Sequence, residues 1–174
     1  VPELVKHRTD SDSRVRGVAA RSLVQLSPAA RPNMLEIRKL LGNDDMLVRE
    51  QAAFIIGELK DSDSLSVLMK AAEQERSRRV AVNMANALSQ IADPSCLPTL
   101  GRMLDRFQEN DETATACLNA ISSFNKKAVR QLIAVLDSKN VKVWQSALEE
   151  LKEICGVDFG IDKARWEQWE KSKK

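Results

Sequence analysis

One apolar pattern recurs five times along the chain and constrains its fold more than any other feature. Each copy has a starting residue followed by small or apolar residues 4, 5, 8 and 11 positions later, spacings that share one face of an α-helix. The copies start 33, 32, 33 and 30 residues apart, at Val15, Val48, Val80, Thr113 and Val143. A period of this length is typical of repeat proteins, whose units bury their apolar faces against one another.

A second signal supports the same register without relying on hydrophobicity. Three residues before each start stands a residue suited to begin a helix: Asp12, Asp45, Ser77, Asn110 and Asn140. The side-chain oxygens of these residue types accept hydrogen bonds from the free N–H groups of a first helical turn. We expect all five to act as N-caps.

Other apolar periodic runs lie between these helices and predict the first helix of each pair. They occupy residues 35–41, 65–72, 97–104 and 129–136, with helix-breaking residues in the joints between pairs. The pattern predicts an all-α fold, an α-α superhelix of about five helix pairs in a single domain covering 1–174. The predicted repeats are 1–27, 28–60, 61–92, 93–125 and 126–155, with a cap at 156–174. The first repeat has only a stub of a first helix, so we expect the chain to begin inside a longer array or at a short natural cap.

Composition and charge narrow the class of partner. The chain has 27 basic and 25 acidic residues, a formal net charge of +2, so neither nucleic acid nor an anionic membrane is the expected partner. No apolar run approaches the roughly 18 residues of a membrane span, and membrane insertion is not expected. The three cysteines, Cys96, Cys117 and Cys155, are far apart in sequence. We expect them to be small core residues in a reducing compartment, the cytoplasm.

Residues 45–59 resemble the second helix of a HEAT repeat, of the kind also found in the phycobilisome-lyase-like group, and residues 13–20 match nearly as well. The resemblance covers almost the whole chain and implies a HEAT-like solenoid. In that family the arginine of a Val-Arg pair often binds the loop aspartate of a neighbouring repeat. Arg16 and Arg49 match it, whereas the later copies carry Ala81, Ala114 and Trp144, which implies such a ladder only in the first repeats.

The tail at residues 156–170 resembles the ending of many bacterial HEAT-repeat proteins. Asp162 is expected to cap a short helix that places Trp166 and Trp169 on one face. Together with Phe159 and Ile161, these would cover the open side of the last repeat. The alternative is that the two tryptophans form an exposed docking site.

The chain encodes little chemistry of the kind that enzymes need. His7 is its one histidine, and the spacings of known zinc, calcium and phosphate sites do not occur. No catalytic residue, metal or cofactor is therefore predicted. HEAT-like folds include two kinds of enzyme, alkylpurine DNA glycosylases and bilin lyases. The glycosylases use aromatic and acidic residues, and the nearest match in this chain is Trp144 with Glu149 and Glu150 beside it. The mixed-charge run 73–79 is interpreted as a solvated bend or as a phosphate-binding patch.

We therefore predict a non-catalytic scaffold that binds a protein or peptide on the concave face of the solenoid, where second helices are expected to lie. The alternatives are a regulatory or lyase-like subunit of an enzyme and a nucleic-acid-binding protein. Phe54 is either an anchor for the partner or packed between helices. The predicted partner-binding residues are the polar and aromatic residues beside the buried stripe: Arg21, Glu50, Phe54, Asn83, Asn86, Gln90, Asn119 and Ser123.

Overall fold

A computed structural model describes residues 33–173, together with His7, Val18 and Ser22. Within these residues the regular structure is entirely helical, which confirms the predicted all-α fold. The chain divides into two compact units, Val1–Asp93 and Pro94–Lys174, which are described in turn. The organisation of residues 1–174 as one repeat domain remains a prediction.

The described part of the first unit contains two helix pairs. Its helices are α1 (Met34–Lys39), extended by a 3₁₀ turn at Leu40–Gly42, α2 (Met46–Glu58), α3 (Leu65–Gln74), preceded by a 3₁₀ turn at Ser62–Ser64, and α4 (Arg78–Ile91). The most extensive packing in this unit joins α2 to α4, the second helices of successive pairs.

The second unit repeats the plan and adds a final helix. Its helices are α5 (Leu97–Phe107), α6 (Asp111–Ser122), α7 (Val129–Val135), α8 (Val141–Cys155) and α9 (Lys163–Ser172), with 3₁₀ turns at Pro94–Cys96 and Asn125–Ala128. Here α5 packs on α6 and α7 on α8, and α6 also packs on α8.

The predicted apolar stripes form the core. In α2, α4, α6 and α8 the starting residue and those 4, 5 and 8 positions later are all buried. The last position of the stripe is less uniform, since Leu59 and Phe124 are buried but Ile91 and Ile154 are half-exposed. The helical register read from the sequence is therefore confirmed for the four described copies.

Two of the three cysteines belong to the core. Cys96 and Cys117 are fully buried, and burial raises the pKa of the Cys117 thiol to about 12. Cys155 is half-buried at the end of α8, and partial burial also raises its pKa. The prediction of core cysteines therefore holds fully for Cys96 and Cys117 and only in part for Cys155.

Three of the predicted caps are confirmed. Asp45 accepts a hydrogen bond from the backbone N–H of Leu47 at 2.9 Å. Asn110 and Asn140 accept in the same way from Thr113 and Val143. Asp12 lies outside the described residues.

The prediction that Ser77 caps α4 is wrong. Ser77 occupies the N-cap position, but its hydroxyl accepts no bond from the first turn of α4 and lies 3.8 Å from the sulfur of Met46. The carboxylate of Glu75 does not replace this cap, because it accepts from the N–H groups of Arg76 and Ser77 just before α4, at 2.9 and 2.7 Å.

The final helix covers the last repeat, as the tail predicts. Asp162 caps α9 by accepting from the N–H of Arg165, and α9 packs on α7. Trp166 is fully buried and donates from Nε1 to the carbonyl of Gly160 at 2.8 Å. Phe159 packs edge-on against it, with ring centroids 4.9 Å apart. Trp166 is therefore the lid residue.

The other two expected lid residues behave differently. Ile161 is 69% exposed, so its inclusion was wrong. The N–H of Asp162 donates to the carbonyl of Phe159 and closes a turn with Ile161 at its outer corner, where the side chain faces water. Trp169 contacts Trp166 at a ring-centroid distance of 6.5 Å but is only half-buried.

Removing the cap oxygen of Asp45 tests the helix register. Asp45→Ala should lower the free energy of unfolding by about 1 kcal/mol, because the N–H of Leu47 loses its acceptor. Ser77→Ala is the matched control and should change stability far less, since its hydroxyl caps nothing. Urea denaturation followed by helical circular dichroism measures both, and equal losses would contradict the assignment of the caps.

Truncation of each tryptophan to alanine tests how much Trp166 and Trp169 contribute to stability. Trp166→Ala should cost about 3–5 kcal/mol, the range for a buried aromatic residue, together with its hydrogen bond to Gly160. Trp169→Ala should cost clearly less because its side chain is only partly buried. Thermal unfolding of both variants measures this, and a larger loss for Trp169→Ala would reverse the assignment.

Candidate functional site

A small cleft opens on the surface shared by α2 and α4. It has a volume of about 250 Å³ and is lined by Phe54, Asn83, Asn86, Ser89 and Gln90. The structure thus brings together Phe54, Asn83, Asn86 and Gln90, all of which the sequence placed among the candidate binding residues. We call this the Phe54 cleft.

Helical spacing explains why these side chains meet. Phe54 follows the buried Ala53 in α2, so it lies at the edge of the apolar stripe and is half-exposed. Asn83, Asn86 and Gln90 are three and four residues apart in α4, which places them in a row along one side of the helix. The result is an aromatic ring bordered by side-chain amides.

The amides differ in how far they are already engaged. Asn83 donates to the carbonyl of Arg79 at 3.2 Å and to Glu50 at 3.4 Å, while Gln90 donates to Glu58 at 3.1 Å. The side-chain amide of Asn86 is exposed and makes no hydrogen bond within the described residues. An amide has both donor and acceptor atoms, so Asn86 retains its full capacity for a ligand.

The close packing of α2 against α4 beside the cleft depends on Gly57. A Cβ placed on Gly57 would lie 2.2 Å from the side-chain oxygen of Gln90 and 2.8 Å from the Cα of Ala87. The missing side chain therefore allows α2 and α4 to approach closely and allows the amide of Gln90 to rest on the backbone of α2. A glycine inside a helix normally reduces helix stability, and here close packing accounts for it.

Glu50, another predicted binding residue, is not on the open surface. It is only 7% exposed, and its two carboxylate oxygens lie 2.9 and 2.8 Å from Nε of Arg79. It lies at one end of the cleft, where it joins α2 to α4. Its place beside the apolar stripe suggested exposure, but the partner that covers it comes from the next repeat, 29 residues away.

The remaining predicted residues lie elsewhere. Asn119 and Ser123 are exposed at α6 in the second unit, where the hydroxyl of Ser123 donates to the carbonyl of Ala120 at 2.7 Å. Arg21 lies outside the described residues. Ser89 also lines the cleft, since it lies one residue before Gln90 on the same polar surface of α4, although it is not among the predicted binding residues.

An arginine–glutamate pair fixes the ends of the helices that carry the cleft. Arg49 in α2 donates from Nε and Nη2 to the carboxylate of Glu75 at 2.7 and 3.0 Å, and from Nη1 to the carbonyls of Asn43 and Asp44. The side chain of Glu75 is only 3% exposed. One guanidinium thus joins the turn before α2 to the turn before α4.

This pair corrects two expectations. The partner of Arg49 is a glutamate from the next repeat, not a loop aspartate, because the longer side chain reaches back from the end of α3. The run 73–79 is not simply a solvated bend, since Glu75 is buried within it and Arg79 binds Glu50.

The pair also shifts the ionisation of both groups. Burial by itself would raise the pKa of Glu75, but hydrogen bonds from Arg49 and from the N–H groups of Ser77 and Arg76 outweigh it and lower the pKa. The hydrogen bond to Glu75 raises the pKa of Arg49 further above its ordinary value. Both groups are therefore held in their charged forms.

Comparison with known families agrees with this geometry. The family model described as HEAT repeats matches residues 1–81 and again residues 35–119. The chain belongs to the HEAT-repeat family. The predicted HEAT-like fold class is thereby confirmed, and HEAT repeats are commonly scaffolds for protein interactions. A search of curated proteins gives no match.

The described residues contain neither a metal-binding cluster nor a membrane-spanning helix. Among them, no group of three or more His, Cys, Asp or Glu side chains is placed to hold a metal ion. No helix in that part of the chain is long and apolar enough to cross a membrane.

The lowered pKa of Glu75 predicts a dependence of stability on pH. Its folded pKa lies below the ordinary value of 4.5, so its contribution is present above 4.5 and is lost as the pH falls through the folded value. Glu75→Gln should therefore be less stable than the wild type at about pH 7, with the difference narrowing towards about pH 3.

Asp111→Asn is the control for this measurement. It removes an exposed ion pair with Lys142, which contributes little to stability and is screened by salt. The loss in Glu75→Gln should persist at high salt, and both variants are compared by urea denaturation. Equal stability of Glu75→Gln and wild type at neutral pH would refute the role of the pair.

Proposed function

We propose that this HEAT-repeat protein is a non-catalytic interaction scaffold that binds an extended peptide segment of a partner protein across α2 and α4. The observation that carries the proposal is the Phe54 cleft, in which a half-exposed aromatic ring is bordered by neutral amides. Aromatic residues in partly enclosed pockets are frequent energetic anchors at interfaces. The two helices are second helices of their repeats, on the face expected to be concave.

The spacing of the amides fits an extended main chain. Asn83 and Gln90 are seven residues apart, which corresponds to about 10 Å along a helix at about 1.5 Å per residue. An extended peptide advances about 3.3 Å per residue, so about three of its residues would span the row. The open amide of Asn86 lies between the two and can both donate to and accept from a peptide group.

The charges at the cleft favour a neutral segment. Arg79 and Glu50 neutralise each other at one end, and Glu58 is the carboxylate that Gln90 contacts at the other. A nucleic acid would require an excess of cations, because contacts to phosphate supply most of its affinity.

We further propose a cytoplasmic location, which suits three cysteines that form no disulfide.

Peptides selected for binding provide the test. A displayed library of neutral peptides with one large apolar residue is selected on the wild-type protein, and fluorescence anisotropy measures the affinity for each variant. Phe54→Ala should weaken binding about tenfold or more and Asn86→Ala by a smaller factor, because the first removes the anchor and the second one polar contact. Ser66→Ala, an exposed change on α3, is the control and should bind as the wild type does.

Stability measurements keep the interpretation clear. Phe54 is half-exposed, so Phe54→Ala should cost less than the roughly 3 kcal/mol of a core phenylalanine. A loss of that full size would place Phe54 in the core and remove it from the site. Peptides that bind wild type, Phe54→Ala and Asn86→Ala equally would overturn the proposal.

A further inference from the structure

A second cleft lies beside the final helix of the second unit. It has a volume of about 680 Å³ and is bounded by the 3₁₀ turn before α7, the end of α8 and α9. Its apolar wall contains Ile154, Cys155 and Trp169, all half-buried. We call this the Trp169 cleft.

The apolar wall exceeds what the core requires. Trp166 is the buried residue of α9, with its ring fully enclosed and its N–H bonded to Gly160. Trp169 remains partly exposed next to Ile154, the last and least buried position of the α8 stripe. Exposed aromatic and aliphatic surface of this kind, rimmed by polar groups, is typical of interaction sites.

The rim of the cleft is strongly biased in charge. Lys126, Lys127 and Lys173 line it, and Glu170 is the one carboxylate among the residues that do. Within the described residues, Lys126 and Lys127 form no ion pair, and the ammonium of Lys173 lies 5.8 Å from the centroid of the Trp169 ring. The chain as a whole is almost neutral, so this local excess of cations is not a consequence of composition.

We propose that the Trp169 cleft binds an acidic peptide segment of a partner protein, with one large apolar side chain against Trp169 and flanking carboxylates on the lysines. The volume is within the usual range of about 300–1,000 Å³ for binding pockets. Lysines on flexible stems suit carboxylates at variable positions. Charge complementarity therefore selects the flanking residues, and the apolar wall selects the central one.

The reactivity of Cys155 can be used to measure whether the Trp169 cleft is occupied. Cys96 and Cys117 are fully buried, whereas Cys155 is half-exposed in the wall of the Trp169 cleft. Alkylation of the folded protein by N-ethylmaleimide, followed by intact mass spectrometry, should therefore modify Cys155 first. A peptide bound in the cleft should slow that first modification.

The experiment compares two peptide pools on the wild-type protein. One pool has a fixed leucine or phenylalanine flanked by aspartate and glutamate, and the other has the matching asparagine and glutamine. The acidic pool should slow alkylation of Cys155 several-fold and the neutral pool should not. Protection should weaken as salt is added, because the lysine rim is exposed.

Charge-reversal variants then test whether protection of Cys155 depends on the lysines of the Trp169 cleft. Lys126→Glu/Lys127→Glu should abolish protection by the acidic pool, while Lys60→Glu/Lys70→Glu, the same change in net charge at exposed positions of the first unit, should keep it. Phe54→Ala should also keep it, so failure here and failure of the Phe54 cleft can be told apart. Equal protection by both pools, no protection by either, or protection by phosphatidylserine vesicles but not by peptides would overturn the proposal.

Discussion

The pairing of Arg49 with Glu75 is the constraint on which the described part of the first unit depends. It ties the turn that begins α2 to the turn that begins α4, and it uses the N–H groups of the next turn as well. Once these ends are fixed, the register of the two helices follows, and Gly57 comes to lie against Ala87. A pair that is this buried stabilises only if its hydrogen bonds are satisfied, and here the carboxylate accepts four.

The second unit meets the same need with different chemistry. Its second helices carry Ala114 and Trp144 where α2 has Arg49, so they have no arginine at that position. Instead Asn140, the cap of α8, donates to the carbonyl of Gln108 at 2.7 Å and to Asp111 at 3.0 Å. The exposed pair of Lys142 with Asp111 adds little, because such pairs are screened by water. A short neutral amide at a cap thus replaces a long charged side chain, and the repeats can diverge in sequence without changing how their turns meet.

These details explain which features the sequence could predict. Burial and capping depend on neighbours a few residues away, so the stripes from Val48 to Phe124 and the caps at Asp45, Asn110 and Asn140 could be read directly. Ser77 and Glu50 could not, because their contacts come from another repeat. The hydroxyl of Ser77 lies against the sulfur of Met46, and Arg79 covers the carboxylate of Glu50. The Phe54 cleft was predictable as a row of residues at the edge of a helix. The close approach of α4 to α2 beside it was not, since that depends on the contact of Gly57 with Gln90 and Ala87 in the next repeat.

The two candidate surfaces share a property that separates them from the scaffold around them. Most side chains near them have a structural partner: Trp166 fills the core, Glu75 ties two turns, and Asp45 caps a helix. Asn86 and Trp169 have fewer such contacts, and each reduces the stability of the fold. Asparagine is a poor helix former, and the exposed part of an indole loses the benefit of burial. Elsewhere in α4 and α9 the neighbouring positions carry residues that avoid this cost, such as Ala87 and Glu167. At both clefts, therefore, the chain carries a residue that stabilises the fold less than another amino acid at the same position would. Binding to a partner outside the chain is the simplest physical explanation that we propose for such residues.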